Sequence, residues 1–427
     1  MPMAHWCLFP ALTMSLGWGL RGFIGGGPLG AMIPGALVAL ALCLLLRRDH
    51  EDAAVIAALG AVGIGFGGQM TYGQTIGHSF VPETMWFGLF GLALKGAIWG
   101  LLGGGVVGIA LDRQNIGARR IGLSFLAMLA LTWVGWKLIN EPKLIYFSNR
   151  LDRPRPEIWA GLALGALAML AVARSPVAWR FAARSFVGGG FGFGVGAWIQ
   201  VAGRTAFPHP WIGYWKVMEF FFGFWFGFAL GFSAWKERAL IARSGFASRL
   251  KPVPVYLLIG VAVVAGGLWL HAHAPIRFGY TLVGAGLMAL ALRSGSAAWN
   301  VAIAMTYCAF SIDYLRARPA MNREALWVAI AVTSLAVSWL TARWGRVLPL
   351  FLLLLWTANA NSYLKSFTPP AERGPAHLAV EIVFTILGIA STLLALKTAR
   401  SAVLPQDREE PALDVHVGSG YADRLHG

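Results

Sequence analysis

The stretch WFGLFGLALKGAIWGLLGGGVVGIAL, residues 86–111, decides what kind of protein this is. A helix needs about 20 mostly apolar residues to cross a bilayer, and this run meets that length with a single charge, Lys95. Gly96, Gly100, Gly104 and Gly108 recur at every fourth position, so a helix carries them as one flat strip. In lipid, where apolar burial no longer drives helices together, such a strip lets two backbones pack closely. The expectation is a membrane helix held by other helices.

The rest of the 427-residue chain has the same character: 57% hydrophobic and 13% charged, with a mean hydropathy of +0.63. Soluble domains carry about 25% charged residues, so a soluble enzyme is excluded. Fourteen segments read as spans, at 7–23, 29–46, 53–69, 86–111, 119–138, 157–173, 185–203, 214–235, 253–270, 276–292, 297–315, 324–342, 347–364 and 378–396. The fold class is therefore an all-α polytopic membrane protein of about 14 transmembrane helices, packed along glycine ladders. The first and third spans are glycine-rich and read equally as full crossings or as re-entrant segments. A basic leader and a small-residue cleavage site are both missing, so no secretory signal is expected. Cys7, Cys43 and Cys308 lie in apolar runs and make no C-x-x-C pair.

Near residue 250 the composition shifts. Residues 1–250 form a Gly/Trp-rich transmembrane subdomain (spans 1–8), 251–400 a Leu/Ala-rich one (spans 9–14), and 401–427 a disordered tail. Alternate loops differ in basic content: those with Arg47, Arg48, Arg119, Arg120, Arg180, Arg184, Lys236 and Arg249 are the richer set. The positive-inside rule then places them, and both termini, in the cytoplasm of a bacterial-type inner membrane. This topology and an anionic lipid surface account for the net charge of +16, so no nucleic-acid partner is expected.

Spans 3–4 and 7–8 share an order of features. Gly65-Phe66-Gly67, Gly73-Gln74-Thr75, His78, Trp86 and the ladder Gly96–Gly108 are matched by Gly192-Phe193-Gly194, Gly203-Arg204-Thr205, His209, Trp215 and the ladder Gly223–Gly231. The spacings differ. A parallel four-helix duplication within spans 1–8 is one reading, and shared glycine-rich composition is the other.

Gly17-Trp18-Gly19-Leu20-Arg21-Gly22 spells G-x-G-x-x-G. A dinucleotide site needs that motif in a βαβ unit, and no strand is expected here. Gly25-Gly26-Gly27-Pro28 reads as a break after the first span and Pro34-Gly35 as a break in the second. Span 2 then starts with free N–H groups that attract anionic or polar groups, the alternative being a plain tight hairpin. His271-x-His273 lacks further ligands nearby, so no metal and no cofactor are expected.

Charges inside spans cost about 2.5–3.5 kcal/mol each at the helix centre and point to function. They are Arg21, Lys95, Glu219 and Glu381. Lys95 lies about 14 Å into its helix and Glu219 about 7 Å into its own, and the two are expected to share one polar cavity. Around them the outer loops supply amides and aromatic rings. Gln69, Tyr72, Gln74, Trp99, Gln200, Arg204 and Trp215 complete the expected substrate-binding set with Arg21, Lys95 and Glu219. Amides that both donate and accept, beside rings that stack, suit a neutral polyhydroxylated solute, while the cations suit an anionic one.

The function expected is a carrier-like protein with an outward-opening polar site, whose partners are membrane lipids and a small-molecule solute. Oligomeric state is left open, and no catalytic residue is assigned. Two other classes compete. An integral-membrane enzyme would use Glu83, Glu141 or Glu219 as base beside His78 or His209. A non-catalytic scaffold would present its glycine faces to other subunits.

Overall fold

The computed structural model describes residues 1–21, 27–149, 155, 157–207, 211–241, 280, 284, 288, 294, 346–364 and 375–403. The segments read as spans at 253–270, 276–292, 297–315 and 324–342 lie almost wholly outside these, as do His271, His273 and the 401–427 tail beyond Val403. Among the described residues every regular element is helical. In chain order these are α1 (Met3–Arg21), α2 (Gly27–Leu45), α3 (His50–Gly67), α4 (Thr75–His78), α5 (Met85–Leu111), α6 (Arg113–Ile116), α7 (Ala118–Gly135), α8 (Trp159–Ala173), α9 (Pro176–Ala206), α10 (Tyr214–Glu237), α11 (Val347–Leu364) and α12 (Pro375–Val403). Among the described residues five helical stretches are long and apolar enough to cross a membrane: Pro82–Leu111, Ala118–Asn140, Pro176–Ala206, Tyr214–Glu237 and Leu378–Ser401. Apolar side chains such as Leu126, Leu138, Leu167, Trp198, Ile386 and Leu393 stand exposed on their flanks, a surface compatible with contact to lipid.

Local chemistry sets several helix ends. Asp49 caps α3, its Oδ1 accepting from Asp52 N at 2.7 Å. Ser175 caps α9 through Ala178 N, with Pro176 in the first turn, where a missing N–H costs nothing. These two signals start α9 nine residues before the apolar run read at 185–203. The cap of α8 comes from another element: Asn140, buried at the end of a π-helical turn (Trp136–Asn140), accepts from Ala160 N and Gly161 N at 3.1 Å each.

One sequence reading is corrected here. Pro34-Gly35 does not break α2, which runs unbroken from Gly27 to Leu45. Proline forfeits one helical hydrogen bond, but tertiary packing holds both sides of the position. A Cβ on Gly17 would come within 2.7 Å of Pro34 Cα, and one on Gly35 within 2.9 Å of Ala61 Cα.

At the centre lies α3, buried from Asp52 to Gly67 and running antiparallel to both α2 and α5. Beyond α5 lies α9, at such close range that a Cβ on Gly108 would meet Ala178 Cα at 2.6 Å and one on Gly104 would meet Ser185 Cβ at 2.6 Å. On its other side α9 meets α10, whose Gly223 and Gly227 abut α1 at Met14. The pair α7–α8 flanks α5, and α11–α12 flanks α1, with Phe351 on Phe9 and Phe384 on Phe220, ring centroids 5.4 Å apart in each case.

This arrangement gathers charge at two ends. One end holds the C-termini of α1 and α3 and the N-termini of α2 and α10. The opposite end holds Asp52 with Arg48 and Arg113, and Glu237 with Arg180 and Arg184.

Candidate functional site

Arg21 closes α1 and is buried, 4% exposed. Its guanidinium stands 5.6, 5.1 and 5.2 Å from the ring centroids of Trp18, Tyr72 and Trp99, a box of three aromatic faces. Cation–π attraction strengthens when the cation is desolvated. Nη1 donates to the Tyr72 hydroxyl at 2.7 Å, and Nε to Gly27 O, at the head of α2, at 3.4 Å. Trp18 and Trp99 are themselves fixed: their rings meet edge-on at 4.7 Å, and Trp99 Nε1 donates to Ile64 O.

Tyr72 relays this cation to a carboxylate. Its hydroxyl donates to Glu219 Oε1 at 3.1 Å, and burial pushes the phenol's pKa up, so the proton needed for that bond stays in place. Glu219 also accepts from Trp215 Nε1 at 3.1 Å and from Lys216 Nζ at 2.6 Å on its other oxygen. Lys216 further donates to Gly19 O at 2.8 Å, tying α10 to α1. The Tyr72 ring stacks on Trp215, 5.5 Å away, and meets Phe193 edge-on.

Lys95 and Glu219 do not pair with each other. Lys95, 1% exposed, donates at 2.7 Å to Glu157 just before α8, and also to Thr71 O and Thr75 Oγ1. Glu157 in turn accepts from Phe147 N at 3.1 Å. The two networks touch through consecutive residues, since Thr71 serves Lys95 and Tyr72 serves Arg21 and Glu219.

No known protein family, curated protein or solved structure matches this chain. Its chemistry has to be read from these contacts alone.

Of the residues picked from sequence, Arg21, Tyr72, Trp99, Trp215 and Glu219 meet in one cluster, and Lys95 adjoins it. Gln200 is fully buried on α9, two helical turns beyond Phe193 on the same face. The α9–α10 contacts Gly196–Met218 and Gly203–Tyr214 put it at the level of Trp215. Among the described residues neither its Nε2 nor its Oε1 has a hydrogen-bond partner, and the same holds for Thr71 Oγ1. Gln69 is buried and donates to Phe66 O. Gln74 meets Ser148 of the folded-back 141–149 segment. Arg204 is exposed, 4.5 Å over the Phe80 ring, and stays outside the cluster. Glu381 sits half-buried on α12.

Two members were not singled out by sequence, Trp18 and Lys216, and Glu157 stood out only as one of the polar residues of the loop at 140–157. Trp18 lies inside the rejected G-x-G-x-x-G run, one turn before Arg21, a spacing that stacks the two side chains. Lys216 lies three residues before Glu219, the same kind of signal. Glu157 sits at a span boundary, where a carboxylate looks like ordinary loop polarity.

The net charge follows directly. Glu219 offsets Lys216, and Glu157 offsets Lys95. Arg21 has no ion-pair partner among the described residues, and a guanidinium does not shed its proton in proteins. Among the described residues of the cluster one positive charge is left over, enclosed by rings.

Proposed function

We propose that the chain is a carrier-like protein of a bacterial-type inner membrane that binds a small anionic solute at Arg21. The observation that carries this reading is the buried guanidinium with no carboxylate in ion-pair contact among the described residues. Isolated buried charges are costly, and a solute carboxylate or phosphate would supply the missing counter-charge in a bidentate geometry that suits arginine. The unpartnered amide of Gln200 and hydroxyl of Thr71 add capacity for a hydroxyl or amide on the same solute. Glu219 is the internal counter-ion, released from or drawn to Lys216 and Tyr72 as the solute comes and goes. Further elements of the reading are that both termini face the cytoplasm, that the cluster opens outward, and that the glycine ladders of α5 and α10 serve as membrane packing faces. Among the described residues, which do not include His209, the partners of Glu219 are Tyr72, Trp215 and Lys216.

The test is ligand-induced stabilisation of the purified full-length protein across small hydroxycarboxylates, inorganic phosphate and neutral sugars. A ligand at 100 times its Kd stabilises by about 2.7 kcal/mol. Anions should raise the melting temperature of the wild type and leave Arg21→Gln unmoved. Neutral sugars that stabilise both proteins equally, with no anion effect, would overturn the reading.

A further inference from the structure

At the end of the bundle opposite Arg21, the start of α7 and the finish of α8 enclose a groove of about 820 Å³. Arg119, Arg120 and Arg174 form its rim, and Ile116, Leu123 and Val172 its apolar wall. Four other cations of this end are neutralised: Arg48 and Arg113 meet Asp52, and Arg180 and Arg184 meet Glu237. Among the described residues the three rim arginines have no ion pair, and all three are exposed. Two further features extend the site. The first turn of α7 has neither an acidic residue nor a side-chain cap, so its N–H groups add positive potential beside Arg119 and Arg120. Below the rim, exposed Leu123, Leu126 and Leu167 continue the apolar wall along α7 and α8.

We propose that this groove seats the headgroup of an anionic phospholipid, with the phosphate among Arg119, Arg120 and Arg174 and the acyl chains laid along α7 and α8. The pattern fits an amphiphile better than a free ion: charge at the rim, then leucines running toward the middle of the helix pair. Arginine's fork matches phosphate oxygens, and a basic residue at an anionic surface is worth about 1 kcal/mol, or about fivefold in affinity.

The experiment compares the full-length protein and Arg119→Gln/Arg120→Gln in zwitterionic micelles doped with phosphatidylglycerol, phosphatidylcholine or inorganic phosphate. Retained lipid is read by native mass spectrometry and stability by melting temperature. Phosphatidylglycerol should be retained over phosphatidylcholine and raise the wild-type melting temperature, with retention falling about 25-fold in the double variant. The two proteins should melt alike in phosphatidylcholine, since both arginines are exposed. Should the double variant fail to fold, Leu123→Gln keeps the arginines, removes the apolar wall and should lower retention by itself. Equal retention of the two lipids by the wild type would overturn the proposal. So would undiminished retention in the variants, or stabilisation by inorganic phosphate equal to that by the lipid.

Discussion

Lys95 and Arg21 are both buried cations at the same end of the bundle, yet their surroundings differ in kind. Lys95 meets a carboxylate, a backbone carbonyl and a hydroxyl, so all three ammonium donors are used. Arg21 meets three rings, a phenol and one distant carbonyl. The first site is neutralised by Glu157, and the second holds one more positive charge than the described residues around it offset. Burial of an ionisable group alone therefore does not separate the two sites, whereas the presence of a counter-charge does, and the proposed ligand-binding role of Arg21 rests on that difference.

The largest expected effect tests the completeness of the Lys95 site. Lys95→Met strands Glu157 as a buried, unpaired carboxylate, at a cost of about 3–5 kcal/mol. Lys95→Met/Glu157→Gln should recover most of that. Arg21→Met strands no directly paired carboxylate, and its melting temperature should fall by less than half as much. Thermal melts of the four proteins decide it, and equal losses for Lys95→Met and Arg21→Met would erase the distinction drawn here.

A smaller effect sharpens the Arg21 side. Tyr72→Phe removes a hydroxyl that accepts from Arg21 and donates to Glu219. Hydrogen bonds to charged groups contribute about 1.5–3 kcal/mol each, so destabilisation within that range is expected, with the ring stack on Trp215 preserved. No loss of stability would mean that the rings alone hold Arg21, and that the relay to Glu219 is incidental.

The smallest effect depends on pH. His78 sits in α4, near Lys95 and Glu157, and burial is the largest cause of its lowered pKa. The Lys95 charge adds to that lowering, while Ser148 and Glu157 oppose it. With the folded value below the unfolded value near 6.5, the unfolded chain takes up the proton first as pH falls. Stability contributed by neutral His78 is then full above about pH 6.5 and lost on acidification below it. Melting curves between pH 7.5 and about 5 should show a small decline that His78→Gln flattens. A decline unchanged in the variant would assign it to other groups.

Sequence reasoning located the helices closely where the apolar run is itself the helix: α5, α10 and α11 fall within about two residues of their expected bounds, a normal margin. It missed the early start of α9, because Ser175-Pro176 signals a helix that the apolar run alone does not reach. It was misled at Pro34, where packing against Gly17 overrides a breaker. For the site, the rule that buried charges matter found Arg21, Lys95 and Glu219, but depth along separate helices could not say which charges meet. That depends on how α5 is rotated, and here it turns Lys95 toward Thr71, Thr75 and Glu157, away from α10. Trp18 and Lys216 were recoverable from helical spacing to Arg21 and Glu219, whereas Glu157 needed the fold.

The contacts at Thr71 and Tyr72 tie these two sites to a single stretch of main chain. Lys95 on α5 grips the Thr71 carbonyl, and one residue on, Arg21 of α1 and Glu219 of α10 grip the Tyr72 hydroxyl. Three helices thus hold adjacent residues, and a backbone rotation that frees the phenol also pulls on the lysine. Linkage works equally in both directions: an occupant that favours the released phenol favours a loosened Lys95, and a loosened Lys95 makes room for the occupant by the same factor. A label near Glu157 would then report, at a distance, on what happens beside Arg21.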